Sequence, residues 1–227
     1  MAKNWKIRKD LSIEVCGHTL FRIECTQDFK DIKAGTLGGY IEKEENLDGD
    51  AWVCGDARVY GNAKVYGDAQ VCGNALVYGN ARVSGNAQVY GDALVYGNAW
   101  VYGDALVYGN ARVSGDAQVF GNTQVFGDAQ VCGDARVYGN ARVFGDKITN
   151  KDDICYISNR YYNITITPLH IKIGCQYHAQ EAWWNFTDEQ IEKMDGESAL
   201  NFWKIWKEPL KQICDAMKKE KGEKDVK

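Results

Sequence analysis

Residues 55–72 read GDARVYGNAKVYGDAQVC, three copies of one six-residue unit, and this stretch decides the fold of nearly half the chain. Extended in both directions, the unit Gly-[Asp/Asn]-Ala-x-Val-[Tyr/Phe/Cys/Ser] runs sixteen times without a break from Gly49 to Phe144. Every unit keeps its glycine and its valine, and the alanine column has one exception, Thr123. Six residues are too few for a helical hairpin or a propeller blade and suit one strand plus one corner, so the period predicts a β-solenoid. Ala-x-Val-aromatic reads as a four-residue strand with Ala and Val on one side and x and the aromatic on the other. Gly-[Asp/Asn] is the corner, because glycine tolerates positive φ and Asp or Asn can hydrogen-bond the neighbouring backbone.

The Ala and Val columns give a narrow interior. Burying one Val contributes about 1.5–3 kcal/mol, while ordering each residue costs about 1–2 kcal/mol of backbone entropy. A single unit therefore cannot fold, and the array must draw the rest from backbone ladders between coils and from contacts on its outer faces.

The spacing of Val59 with Ala63, Val65 with Ala69, and so on through Val137 with Ala141 resembles the hexapeptide-repeat left-handed parallel β-helix superfamily. The resemblance implies a triangular, left-handed coil of three hexapeptides, about five coils here, and at strand spacing of about 4.8 Å a rod about 25 Å long. In the flanks, Gly38-Gly39-Tyr40-Ile41-Glu42 before the repeats and Ile173-Gly174-Cys175-Gln176-Tyr177-His178 after them resemble an uncharacterised bacterial and phage group within that superfamily. The fold class expected is mainly β: a left-handed parallel β-helix with an N-terminal β-hairpin cap and a C-terminal region rich in strands and helices.

The chain divides accordingly. Residues 1–48 hold a hairpin, Leu11–Val15 with Leu20–Glu24, and a segment that caps the first coil; residues 49–146 are the solenoid. Residues 147–186 are β-rich, with strands expected over 154–158, 162–167 and 169–173. Residues 187–217 are helical, opened by the capping-box sequence Thr187-Asp188-Glu189-Gln190 and interrupted at Gly196. In the second helix Ala199, Trp203, Trp206, Leu210, Ile213 and Met217 form one apolar seam, which packs on the protein's own β-layer or on a partner. The charged residues 218–227 are expected to be disordered.

With 227 residues, 45% hydrophobic content and net charge −4, the chain has no apolar run long enough to span a membrane and no leader-like apolar segment after Met1. The expected location is the cytoplasm, where the eight cysteines would be thiols; Cys54 and Cys72, eighteen residues apart, should stack on one face.

The superfamily resemblance implies that an acyltransferase of this fold would carry a histidine general base beside a loop projecting from the coil. The three histidines, His18, His170 and His178, all lie outside the repeat, and no insertion interrupts the sixteen units. No catalytic residue and no cofactor are therefore assigned. His170, Cys175 and His178 form a candidate polar cluster, which Cys155, or Cys16 with His18, would complete as four ligands. Only Cys175-x-x-His178 has the close pairing of a zinc site, and packed polar side chains are the preferred reading. The Asp/Asn corner column has the wrong period for a calcium-binding nonapeptide repeat. Stacked at eighteen residues it reads Asp56, Asn74, Asp92, Asn110, Asp128, so a carboxylate alternates with an amide.

The outward aromatic column holds eight Tyr and three Phe, and these rings clad the solenoid or meet a partner. Leu76, Tyr78, Leu94 and Tyr96 fall on one face, and Trp100, Tyr102, Leu106 and Tyr108 on the other two. With Trp203 and Trp206 these are the candidate interface residues. Eight Asp against six Arg and Lys in the repeats disfavour nucleic acid. The function expected is a non-catalytic scaffold that self-associates as a homo-oligomer and binds a host macromolecule. The alternatives are an acyl- or nucleotidyl-type transferase using His170 or His178, and a protein that sequesters a small-molecule ligand.

Overall fold

The computed structural model describes residues 3–224, with side chains described to residue 219. Residues 49–144 wind into a parallel β-solenoid with an eighteen-residue turn: Leu76 and Val77 pair in register with Leu94 and Val95, and Trp100 and Val101 with Gln118 and Val119. Each strand is only two residues long in most units, such as Arg58–Val59 and Leu106–Val107. This is shorter than the four residues expected, because alanine belongs to the corner. The ladder nevertheless continues through the corners. Asp56 N–H donates to Gly73 O at 2.9 Å, Arg58 N–H to Ala75 O at 3.0 Å and Tyr60 N–H to Val77 O at 3.1 Å. Every repeat Ala and Val is fully enclosed, and so is Thr123, whose Oγ1 has no partner among the described residues.

The corner column makes an amide ladder. Asn74 Nδ2 donates to Asp92 at 2.9 Å, Asn110 to Asp128 at 2.9 Å, and Asn62, Asn80, Asn98 and Asp116 form a continuous chain of side-chain bonds at 3.2, 3.0 and 2.9 Å. At one of the two corners where repeat carboxylates stack, Asp50 over Asp68, Lys30 from the N-terminal cap reaches both residues. Its Nζ lies 3.0 Å from Asp68 Oδ1 and donates to Asp50 O at 2.8 Å.

The N-terminal hairpin is longer than the sequence suggested, Trp5–Val15 against His18–Cys25, and Leu37–Ile41 carries it onto the solenoid by pairing with Arg58–Val59. Gly38 and Gly39 permit that approach. A Cβ on Gly38 would lie 2.6 Å from Val53 O, and one on Gly39 2.6 Å from Ala57 O. Ile41 and Leu47 continue the valine column at six-residue spacing and are fully buried, so the coil begins before the recognisable repeats do. Asn46 is buried beside them and satisfies the corner, donating to Gly61 O and Ala63 O at 3.1 and 2.8 Å.

The other end carries a slip of one residue. Gly145-Asp146-Lys147-Ile148 lacks the alanine of a normal unit. Ile148 still pairs beside Val131, so Asp146 is drawn into the alanine slot: Gln130 N–H donates to Asp146 O at 2.8 Å, as Gln124 N–H donates to Ala141 O at 2.9 Å. A four-stranded antiparallel sheet, Cys155–Ser158, Asn163–Ile166, His170–Ile173 and Gln176–Ala179, then closes the solenoid. The fourth strand and the short helix Gln180–Asn185 were not anticipated.

Alternation assigns the two faces of this sheet. Ile164, Ile166, Ile171 and Ile173 form a second core with Trp183, Phe202, Trp203, Leu210 and Cys214. Thr165, Thr167, His170, Lys172 and Tyr177 lie on the opposite face, where Thr165, Thr167, His170 and Tyr177 bond the last coil. The helical region Asp188–Lys224 is broken at Asp195 and Gly196 (φ 63°), as Gly196 suggested, and Thr187 and Gln190 form the expected reciprocal cap. The helical backbone runs to Lys224 where disorder was expected from residue 218; residues 225–227 lie outside the described residues. No described helix is long and apolar enough to cross a membrane.

The cysteines depart from expectation. Cys54 and Cys72 are joined in a disulfide, because one turn separates them and brings their Cα atoms to 4.6 Å. The bridge occupies the column that continues as Tyr90, Tyr108, Phe126 and Phe144. Cys16, Cys25, Cys132, Cys155, Cys175 and Cys214 are free thiols.

Candidate functional site

The junction between the solenoid and the C-terminal sheet concentrates the buried polar chemistry. Asp146 is 1% exposed, whereas the corner aspartates of the repeats face solvent. Its carboxylate lies 2.8 Å from His170 Nδ1 and accepts from Thr167 Oγ1 at 2.8 Å, Leu169 N–H at 3.1 Å and the Tyr177 hydroxyl at 3.1 Å. The same hydroxyl lies 2.7 Å from Phe144 O. Burial, reinforced by the Asp146 charge and its hydrogen bond, pushes the Tyr177 phenol far above its usual range. Tyr177 therefore acts as a donor and not as an anion. A carboxylate that orients an imidazole is the second half of a general-base arrangement, but here the Tyr177 ring stacks on His170 at 4.8 Å and fixes it in place. The arrangement anchors the sheet to the coil.

His170, Cys175 and His178 are not brought together. His170 and Cys175 stand at opposite ends of the hairpin formed by His170–Ile173 and Gln176–Ala179, and His178, opposite Ile171, lies on the other face of the sheet from His170. Among the described residues no three His, Cys, Asp or Glu side chains are grouped to hold a metal ion. His178 packs edge-on to Trp183 and Phe186, at 5.3 and 5.0 Å, and this burial lowers its pKa below the ordinary 6.5. A histidine depressed in the folded state takes up protons on unfolding, so its contribution is complete above pH about 6.5 and is lost as pH falls through the folded value. Thermal unfolding followed from pH 7 to pH 5 should show a loss of stability in the wild type that His178→Phe largely removes.

The outward rings form three ladders. Tyr60, Tyr78 and Tyr96 stack at 5.2 and 5.1 Å, with His18 tilted against Tyr60. Tyr90, Tyr108 and Phe126 stack at 4.9 and 5.0 Å and lead to Phe144 and Tyr177. Tyr102, Phe120 and Tyr138 form the third, which ends edge-on at Tyr156. Trp100 leans on Tyr102 at 4.5 Å, and its Nε1 donates to Ser84 Oγ at 3.2 Å. The aromatic candidates of the repeats are thus engaged within the chain, with partial exposure left to each. Leu76, Leu94 and Leu106 are half-buried. Trp203 is buried in the C-terminal core and presents no surface to a partner, and Trp206 packs against that core while half-exposed.

The repeats match the family model described as the YdcK beta solenoid repeat over residues 69–85, 87–103, 99–115, 105–121, 129–145 and 135–148. The chain is a β-solenoid repeat protein. The matched segments lie within the coil and its last turn and leave both caps outside. A search of curated proteins finds no match.

Proposed function

We propose that this protein is a rigid scaffold that self-associates through the face carrying Leu76 and Leu94 and holds its two end modules at a fixed separation for a macromolecular partner. The observation that supports the reading is the pattern of that face. The column reads Arg58, Leu76, Leu94, Arg112, each paired in register with the next, so a two-rung apolar band is bounded by a charge above and below. The Tyr78–Tyr96 stack borders the same band. An apolar centre with a charged rim is the anatomy of a protein interface.

The same column supplies a fold-neutral test, because arginine already occupies the x position at Arg58 and Arg112. Wild-type protein at micromolar concentration should scatter light as a multiple of its 25.4 kDa chain mass. The Leu76→Arg/Leu94→Arg double variant should be monomeric with an unchanged circular dichroism spectrum. A monomeric wild type removes the proposal.

A further inference from the structure

The last coil and the C-terminal hairpin border an open pocket of about 250 Å³ lined by Phe126, Arg142, Phe144, Lys172, Cys175 and Tyr177. Its walls carry two cations and no carboxylate. Asp146, bonded to the lining residue Tyr177, is buried and already engaged by Thr167, Leu169 and His170 as well. Arg142 rests over the Phe126 ring at 5.3 Å, and its Nε is buried with no hydrogen-bond partner among the described residues. Among the described residues Lys172 donates only to Gly174 O. Several cations of the N-terminal cap are matched to acids, Arg8 to Asp10 and Glu24, Arg22 to Asp56 and Lys30 to Asp68, whereas Arg58 shares with Arg142 a buried Nε without a partner among the described residues. Burial, with the Arg142 charge second, lowers the Lys172 pKa. The pocket therefore holds positive charge without a counter-ion, at a cost in self-repulsion that an incoming anion would relieve.

Phe144 adds a second requirement. It ends the Tyr90 ladder, is tilted from Phe126 and edge-on to Tyr177, and remains 44% exposed. A flat ring laid against it would extend the ladder by one member. The volume is below the roughly 300 Å³ at which drug-sized ligand sites begin, so the part of the occupant seated in it is small.

We propose that this cavity binds a phosphate monoester of a single-ring compound, the phosphate bridging Arg142 and Lys172 and the ring lying against Phe144. A phosphate monoester carries close to two negative charges at neutral pH, matching the two cations, and the arginine fork and lysine ammonium both suit its oxygens.

The test uses phenyl phosphate, inorganic phosphate and phenol as probes. Cys175 is exposed at the cavity and Cys16 is exposed in the N-terminal hairpin turn. Alkylation of the full chain by iodoacetamide, read by peptide mass spectrometry, therefore reports occupancy at Cys175 with Cys16 as internal control. Phenyl phosphate should protect Cys175 and leave Cys16 unchanged, inorganic phosphate should protect more weakly, and phenol should not protect. Lys172→Gln and Arg142→Gln should each weaken protection about tenfold or more, as expected for loss of one charge-assisted contact. Lys172→Gln replaces a side chain outside both apolar cores and keeps the test open if Arg142→Gln fails to fold. Absence of protection by phenyl phosphate, or equal protection in the folded variants, overturns the site. Protection by phenol as strong as by phenyl phosphate overturns the anion assignment, and inorganic phosphate as strong as the ester overturns the ring.

Discussion

Asp146→Ala is expected to release the C-terminal sheet from the solenoid while the coil itself stays folded. The carboxylate is the shared acceptor for groups on the sheet, and not all of them have a second choice. Thr167 Oγ1 retains His170 O at 3.0 Å, and the Tyr177 hydroxyl retains Phe144 O. Leu169 N–H and His170 Nδ1 lose the only partner described for them. Both donors are only part-buried, Leu169 being 61% exposed, so each loss falls at the low end of the roughly 1–3 kcal/mol for a buried donor and the substitution should cost about 2 kcal/mol, still a sizeable part of the 5–15 kcal/mol typical of a domain. The two apolar cores are separate, one in the coil and one behind the sheet. The loss should therefore appear as local opening before global unfolding. Hydrogen exchange should accelerate in residues 155–179 and remain slow at Val95 and Val101, and limited proteolysis should cut between the modules. Asp146→Asn preserves the shape and one acceptor oxygen and should lose less. Exchange in the sheet identical to wild type for Asp146→Ala would show that the junction does not depend on this carboxylate.

The second large effect belongs to Gly133. Like the other corner glycines it sits at positive φ, 63°, and in addition a Cβ there would lie 2.0 Å from Thr149 O in the next turn. A side chain at that φ costs about 1–2 kcal/mol, and forcing apart two packed layers costs about 1–3 kcal/mol more. Gly145 separates the two contributions, since its φ is 70° and a Cβ there would meet nothing within 4 Å. Gly145→Ala should lose only the conformational part, and Gly133→Ala should lose both, about 2–5 kcal/mol in denaturant unfolding. Equal losses would mean that the spacing between turns gives way without cost.

Much of this molecule is legible in the sequence, because the repeat is strict: the inward Ala and Val columns and the Gly corner follow from one hexapeptide, while the eighteen-residue turn, and with it the alternation of Asn with Asp, comes from the superfamily resemblance. The chain became opaque where the period was kept by different residues. Ile41 and Leu47 stand twelve and six residues before Val53, but Gly39 and Asn46 replace the expected neighbours, so the first turn reads as an irregular cap. At the other end one missing residue between Gly145 and Ile148 hides the last turn and conceals the role of Asp146. The missing alanine was visible in the sequence, and it was the signal that an acid had been placed in an apolar column. The Cys54–Cys72 bridge agrees with the eighteen-residue spacing, and only the expectation of a reducing compartment points away from it. The separation of His170 from Cys175 and His178 could not be read from proximity along the chain, because a hairpin turn sends neighbouring residues to opposite ends and opposite faces. The Arg142 and Lys172 cavity joins residues thirty apart and left no local trace.

The solenoid also works as a ruler with discrete marks. Because every column repeats at eighteen residues, inserting one full turn would move the C-terminal sheet away from the hairpin by about 4.8 Å and leave both facing as before. Inserting a single hexapeptide would instead swing one end about a third of the way round the axis relative to the other. Length in this architecture is therefore adjustable only in steps, and orientation is restored only at every third step.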